Sequence, residues 1–446
     1  VITSCVLLGL LSLARAAFRQ KAARAALHES RALGLDEPQF LHPRIDPRTC
    51  FGCAACIDAC PENGALAVVD GQARLVHGAR CIGHGQCKPA CPVDAIELVL
   101  GTPSRPLQIP RHDDTLQSSV PGLYIAGELA GQGLIRLAME QGLRAVENLA
   151  HTLTQHSSPA DFDVAIVGAG PAGLAAGLAC RERGIRHVIL DQEGLGGSVN
   201  HYPRQKVVMT SPVRLPLVGE MHFTEVAKEE LLAYLQGVVR DAGLEIRAPA
   251  RVVDIRRGQD GTFDLETSVG SVRARGVVLA VGRRGTPTKL GIPGEDSSKV
   301  AYRLIDPDQF RDRDVLVVGG GNSAVEAAIA LAEAPARVTL SYRGDAFRRV
   351  AAGNLRRLEA MRARLRVETS SSALEIEPER VRLQATHGES WIPNQQVFIF
   401  AGGELPTAFL QRVGVELATY TGQPPYATGR QRRTLARAGA IAGRPA

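Results

Sequence analysis

The chain has 446 residues, 45% of them hydrophobic, 22% charged and 4% aromatic, with 46 glycines. That length supports two or three domains with separate cores, and the composition excludes fibrous and disordered classes while favouring glycine-rich α/β turns over an all-β sandwich. The net charge of +6 is gathered in the last 30 residues, where Arg430, Arg432, Arg433, Arg437 and Arg444 meet no acid; no basic stripe with stacking aromatics marks a nucleic-acid binder.

The first element, Val1 to Ala14, is uncharged and largely apolar, and is followed by Arg15, Arg19, Lys21 and Arg24. It is shorter than the ~20 residues that span a bilayer, and its charges follow the apolar run, whereas a signal peptide places them before it. Residues 1–40 read as a buried helix or as a truncated membrane anchor with a basic linker, the positive charges holding the body at the cytoplasmic face.

Next, residues 41–100 contain seven of the nine cysteines in a repeat offset by 31 positions: Cys50, Cys53, Cys56, Cys60 and Pro61 map onto Cys81, His84, Cys87, Cys91 and Pro92. Clustered thiols in a large α/β chain point to metal ligands and a reducing compartment, the cytoplasm. The first half follows the bacterial ferredoxin pattern C-x2-C-x2-C-x3-C-P, in which the fourth cysteine serves the other cluster. Cys50, Cys53, Cys56 and Cys91 are expected to hold one iron-sulfur cluster, and Cys60, Cys81 and Cys87 the second. His84 either completes a 4Fe-4S site through its imidazole or stands beside a 3Fe-4S cluster. A zinc site is the alternative, but one zinc ion closes with four ligands and has no use for the doubled pattern.

After a linker near Ser157 to Pro159, apolar runs twice enter glycine turns. The run Val164 to Val167 leads to Gly168, Gly170 and Gly173, and 23 residues after Gly168 a second run ends at Asp191. This is a dinucleotide fingerprint in its strand–turn–helix context: a tight turn, close approach to a pyrophosphate, close helix packing, and an acid for ribose hydroxyls. The run Val315 to Val318 leads to Gly319, Gly321, Asn322, Ser323 and Ala324, but the same count of 23 lands on Tyr342, with Arg343 and Arg348 close by. Arginines without an acid favour a 2′-phosphate, hence NADPH over NADH, unless they merely flank the strand.

These motifs resemble the low-molecular-weight thioredoxin reductase branch of the pyridine nucleotide-disulfide oxidoreductase flavoproteins. The resemblance implies an α/β fold of two Rossmann-like domains, FAD at residues 157–286 and NAD(P) at 287–395, plus a small α+β ferredoxin-like domain at 41–100. The stretch Ser341 to Arg348 is similar to that family's HRRxxxR, with Arg343 and Arg348 fitting and Tyr342 and Gly344 departing. Val277 to Arg283, with Gly282, resembles the segment closing the first FAD half; Val397 to Gly402 resembles the return, at 396–417. The family's last, flavin-covering piece is not found near the C-terminus. Ser118 to Glu128 and Gly133 to Gly142 have its form, implying a circular permutation in which residues 101–156 complete the FAD domain through Gly127 and Glu128. Residues 418–446 are expected to be a disordered basic tail, with a membrane surface or acidic partner as the alternative.

The redox dithiol of thioredoxin reductases is missing. Cys180 lies in the first Rossmann helix, where packing is its expected role. Gly197 and Ser198, with His201, Tyr202 and Lys206, resemble the flavin-side loop of relatives without the dithiol; positioning is the expected role of these last three, and the catalytic chemistry belongs to the FAD ring. The function implied is an FAD-dependent NAD(P)H oxidoreductase passing electrons between NAD(P)H, FAD and two iron-sulfur clusters and an external ferredoxin-like or other protein partner. Alternatives are a flavin reductase of a small disulfide with auxiliary clusters, a non-catalytic sensor, and an electron-input subunit of a larger complex. A homodimer is compatible with the family.

Overall fold

The computed structural model describes residues 18, 20–32, 36–38, 41–131, 133–153, 158–202, 206–283, 286–348, 350, 352–404 and 406–425. The apolar run before Arg15, most of the linker near Ser157 and all the tail arginines lie outside the described residues. Two compact units emerge, one formed by residues 1–98, 201–204 and 286–404, the other by 99–200, 205–285 and 405–446.

In the second unit a seven-stranded sheet runs in the order Ile246–Arg247, His187–Leu190, Phe162–Val167, Gly270–Leu279, Phe263–Thr267, Val252–Arg257, and Leu123–Ile125 adds to Gly270–Leu279. The central strands pair in parallel and the last two antiparallel. Strands buried on both faces must be apolar throughout, and Val164 to Val167 and Val277 to Leu279 are. Leu123, Tyr124 and Ile125 pair in parallel with Val277, Val278 and Leu279. The amphipathic helix Ile135–Leu153 packs on the helix Pro171–Glu182. One core joins Leu123, Ile125 and Leu129 to Ala165, Val188 and Leu279, and also to Leu410, Val413 and Val415.

At the C-terminal end the structure differs from expectation. Residues Leu417–Tyr420 form a strand antiparallel to Leu107–Pro110, and Arg111 bonds Glu416 at 3.0 Å. Ala418, Thr419 and Tyr420 are therefore ordered by ladder hydrogen bonds where a disordered tail was expected.

The first unit holds a five-stranded parallel sheet in the order Val300–Ala301, Gln396–Ile399, Asp314–Val318, Arg337–Ser341, Leu365–Glu368. A three-stranded antiparallel sheet, Ser372–Ile376, Arg380–Ala385 and Gly388–Pro393, accompanies it. The same unit contains the cysteine-rich segment: His42–Ile45 pairs with Ile96–Val99, and Leu66–Val69 forms a hairpin with Gln72–Leu75. Its small core is built partly from Cys56 and Cys87 beside Leu66, Ala73 and Ile96. Residues 20–32 are helical. Arg24, read as part of a basic linker, bonds Asp70 of the hairpin turn at 2.7 Å. Among the described residues no helix is long and apolar enough to cross a membrane.

Candidate functional site

The first glycine turn follows the strand Phe162–Val167. Gly168 sits at φ +111°, where a β-carbon is strained and would strike the carbonyl oxygen of Ala280. A β-carbon on Gly173 would strike the carbonyl of Gly168, so the helix can approach the strand only as glycine. Gly170 caps that helix, with Pro171 in its first turn. The nearest atom to a β-carbon there is the Cα of Gly197, 3.8 Å away, so the two glycine loops face each other across open backbone. Ser198 lies in the short turn Gly197–His201. Gly282, at φ +65°, also has open space where a side chain would stand.

Asp191 ends the second strand as expected, but it is engaged with its own loop. Its Oδ2 accepts from Ala169 N–H at 2.7 Å, and its Oδ1 accepts from the N–H of Glu193 and of Gly194, both at 2.8 Å. The carboxylate braces the glycine turn from below.

Gly127, at φ +80°, stands beside this turn: its β-carbon would come within 3.0 Å of Ala172 Cβ. Its N–H donates to Gln141 Oε1 at 2.8 Å. Glu128 follows half-buried. Gln141 is 3% exposed, and its Nε2 has no hydrogen-bond partner. A buried donor left unmade costs about 1–3 kcal/mol, and a bound acceptor removes that cost. The donor therefore fits a cofactor-lined site. Sequence reasoning passed over Gln141; its one signal is a lone amide on the apolar face of a long helix.

In the second turn Gly319, at φ +147°, lies against the Phe400 carbonyl, and Gly321 caps the helix Asn322–Glu333 with open space around it. Asn354 Nδ2 donates to Asn322 Oδ1 at 3.2 Å and to Glu326 Oε1 at 2.9 Å. Ser323 is half-buried in the first turn of that helix. Arg343 and Arg348 are exposed, and Arg348 bonds Asp345 at 2.7 Å.

The cysteine-rich segment forms two hollows. Cys50, Cys53, Cys56 and Cys91 line one of about 300 Å³, with Ala73, Val93 and Ile96. Cys60, Cys81, His84 and Cys87 line the other, of about 370 Å³, with Glu62 and Leu98. Among the described residues no three His, Cys, Asp or Glu side chains close on one point as a single ion requires. A set of thiols spread round such a hollow fits a multi-atom iron-sulfur cluster.

Backbone geometry supports these hollows. Gly52 at φ +75° lies against the carbonyl of Gly71, and Ala54 is left-handed at φ +67°. Cys50 Sγ accepts from Ala73 N–H at 3.4 Å and Cys91 Sγ from Ala95 N–H at 3.2 Å. Gly83 and Gly85, both at positive φ, flank His84, whose Nε2 is 3.9 Å from Glu62 Oε1. Burial is the first cause pushing the thiols of Cys56, Cys81 and Cys87 up to about 11. Thiols so buried become thiolates when iron replaces the proton. Cys53 is exposed, as is Phe51 beside it.

Cys180 is buried in the first helix, its thiol pushed up to about 12 by burial. His201 Nδ1 is 2.9 Å from an Arg303 guanidinium nitrogen; Tyr202 and Lys206 are half-buried.

A model of the family described as pyridine nucleotide-disulphide oxidoreductase matches residues 165–435, and one described as a 4Fe-4S dicluster domain matches residues 42–92. The chain is similar to the Bacilliredoxin reductase Bdr of Bacillus subtilis, 30% identical over 58% of this chain and 82% of that protein. It is also similar to a ferredoxin–NADP reductase of Ignicoccus hospitalis, 31% identical over 57% and 82%. Among solved structures, Bacillithiol Disulfide Reductase Bdr (YpdA) from Staphylococcus aureus aligns at 25% identity and a TM-score of 0.52, covering 57% of this chain and 80% of that one.

The chain belongs to the pyridine nucleotide-disulphide oxidoreductase family. More particularly, it is a flavoprotein NAD(P)H oxidoreductase that carries a 4Fe-4S dicluster domain ahead of its Rossmann units, an arrangement suited to electron transfer.

Proposed function

We propose that this chain oxidises NAD(P)H and passes the electrons one at a time, through two iron-sulfur clusters, to an external redox protein. One NAD(P)H yields NAD(P)⁺, a proton and two electrons, and each one-electron acceptor takes one of them. When bound, FAD supplies the exchange between hydride and single electrons.

The residues have distinct tasks in this reading. Gly168, Gly170, Gly173, Gly197, Ser198 and Gly282 hold FAD together with Gly127, Glu128 and Gln141, while Asp191 keeps the first turn in shape. Gly319, Gly321, Asn322, Ser323, Arg343 and Arg348 hold NAD(P)H. The helix N-termini at Gly170 and Gly321 offer unpaired N–H groups to phosphates. Residues 101–153 belong to the FAD domain, which makes the chain a circularly permuted member of its family; the pairing of Leu123–Ile125 with the central sheet supports this.

Cys50, Cys53, Cys56 and Cys91 ligate one cluster, and Cys60, Cys81, Cys87 and His84 the other. Two observations support His84: it lines the second hollow with those three cysteines, and a carboxylate stands near its Nε2, the kind of outer partner that orients a ligating imidazole.

The observation that carries the proposal is the presence, in one chain, of two glycine turns and two separate hollows, one lined by four cysteines and the other by three cysteines and His84. Anaerobic titration with NADPH tests it: flavin bleaching should be followed by loss of the cluster absorption once a low-potential mediator or acceptor protein is present. Flavin bleaching with cluster absorption unchanged refutes the route. A second reading, direct reduction of a small disulfide, is favoured by the names of the Bdr relatives. It requires turnover to survive when Cys53 and Cys81 are changed to Ser.

A further inference from the structure

Two residues of the second dinucleotide unit, Tyr342 and Gly344, are explained by one packing event. The Tyr342 ring lies on the glycine turn itself. A β-carbon on Gly320 would overlap its Cδ2, Cε2 and Cζ, and one on Gly344 would stand 2.7 Å from Cε1 and Cζ and 2.8 Å from Oη. Neither Gly320 nor Gly344 has a positive φ, although Gly319 does. Backbone conformation therefore does not account for glycine at 320 and 344; room for the ring does. The ring also stacks on Phe347, centroids 5.2 Å apart and planes at 19°, and Phe347 is buried. The main chain is fixed as well, Tyr342 N–H donating to Glu368 O at 2.8 Å and Tyr342 O accepting from Ser371 N–H at 2.9 Å.

The position matters because the strand Arg337–Ser341 is the second strand of this βαβ unit. The residue at its end reads the ribose 2′ substituent: an acid accepts from a hydroxyl, and a cation pairs a phosphate. Tyr342 is neither. The neighbouring cations are weak substitutes: Arg343 and Arg348 are both exposed, Arg348 is also bound to Asp345, and exposed charges gain little from pairing in water. A guanidinium at 344, which could make a bidentate phosphate contact, is excluded by the ring.

We propose that the Tyr342 ring, seated on Gly320 and Gly344, sets the coenzyme selectivity of the second unit, presenting an uncharged aromatic group at the 2′-reading position so that NADH and NADPH are used with little discrimination. This rests on the reading of that unit as the NAD(P)H site. It replaces the NADPH preference that the arginines suggest when taken alone.

Calorimetric binding of 5′-ADP and of 2′,5′-ADP to the cofactor-loaded protein tests it without turnover. The wild type should bind the two within about fivefold of each other. Gly344→Arg alone should gain nothing for 2′,5′-ADP and should unfold at lower temperature, since the ring obstructs the new side chain. Tyr342→Ser combined with Gly344→Arg removes the obstruction, and should tighten 2′,5′-ADP by roughly tenfold or more, the scale of one charge-assisted contact, with 5′-ADP nearly unchanged. A wild-type preference for 2′,5′-ADP above roughly thirtyfold, or a single variant that gains as much as the double, overturns the inference while leaving the NAD(P)H site intact. A wild type that binds neither nucleotide overturns the site itself.

Discussion

Gly142→Ala separates two roles for the helix Ile135–Leu153 by the sign of its effect. In an exposed linker helix the change would stabilise by about 1 kcal/mol, because glycine is the poorer helix former. Here the new β-carbon would fall on the carbonyl oxygen of Ala172, 3.0 Å from its carbon and 3.1 Å from Ala176 N. These are main-chain atoms of the neighbouring helix, and they cannot swing aside as a side-chain tip can. Forcing the two helices apart costs about 3 kcal/mol, at the upper end for an overpacked site. Subtracting the propensity gain leaves a net loss of about 2 kcal/mol, or ~4–8 °C in the midpoint of a domain this size. Thermal unfolding followed by far-UV circular dichroism and by flavin fluorescence should show both transitions moving down together. A rise in midpoint would refute the idea that this helix is part of the flavin unit's core.

Three further outcomes are expected. Gly168→Ala places a side chain at φ +111° against the Ala280 carbonyl; strain of at least ~1.4 kcal/mol should raise the FAD dissociation constant by about tenfold or more, measured by titrating the apoprotein with FAD. Cys91→Ser should abolish the same paramagnetic signal as Cys53→Ser, and Cys60→Ser the same one as Cys87→Ser, in reduced protein; pairing of Cys60 with Cys53 instead would contradict the crossed ligand sets. The Arg337 guanidinium, bonding Asp314 at 2.7 and 2.8 Å, holds the Asp314 carboxyl below the usual carboxylate range. A depressed carboxylate contributes stability that is present above the unfolded-state pKa, near ~3.9, and lost as pH falls through the folded value. Asp314→Asn should therefore destabilise at pH 7, and the gap from wild type should close upon acidification; a gap that persists at the lowest pH where both fold would show that the charge is not responsible.

How much of this was legible in the sequence depended on how tightly chemistry fixes spacing. Gly168 is dictated by its positive φ and Gly173 by its contact with Gly168 within one turn, so their pattern survives in the string, and the cysteine spacing is dictated by a cluster of fixed size. The segment from Ser118 to Gly142 was legible by its motif, and its strand Leu123–Ile125 does join the central sheet. Asp191 stands at the strand end its spacing indicates, but its three N–H contacts to its own loop were not legible, because an acid after a strand can engage its loop as well as a ribose. The strand Leu417–Tyr420 escaped notice for a different reason. It is four residues long, and its partner, Leu107–Pro110, lies some 300 positions away, so no local period reports the pairing. Gln141 depends on Gly127, in a different element, and the Tyr342–Gly344 contact, though local in sequence, depends on which way the ring turns.

If residues 101–153 are a permuted part of the FAD domain, as proposed, the sheet accommodates them in a simple way. Leu123–Ile125 lies beside Gly270–Leu279, which lies beside Phe162–Val167, all three parallel. Parallel neighbours cannot be joined by a tight turn and need a crossover, usually a helix. Ile135–Leu153 is a helix of 19 residues standing between the first of these strands and Phe162–Val167 in the chain. On the proposed reading, residues 101–153 enter the Rossmann unit through a strand–helix–strand connection that skips one strand. Burial is indifferent to the direction from which the chain arrives: Leu123, Ile125 and Leu129 share one core with Leu279 and with Leu410 from the far end of the described chain. The order of segments in this chain sets when these contacts become available. The strand and helix precede the glycine turn they cover, so the core of the flavin unit must wait for residues 407–420 rather than for its covering helix, and truncation before Thr407 should cost the whole unit its cooperative unfolding transition.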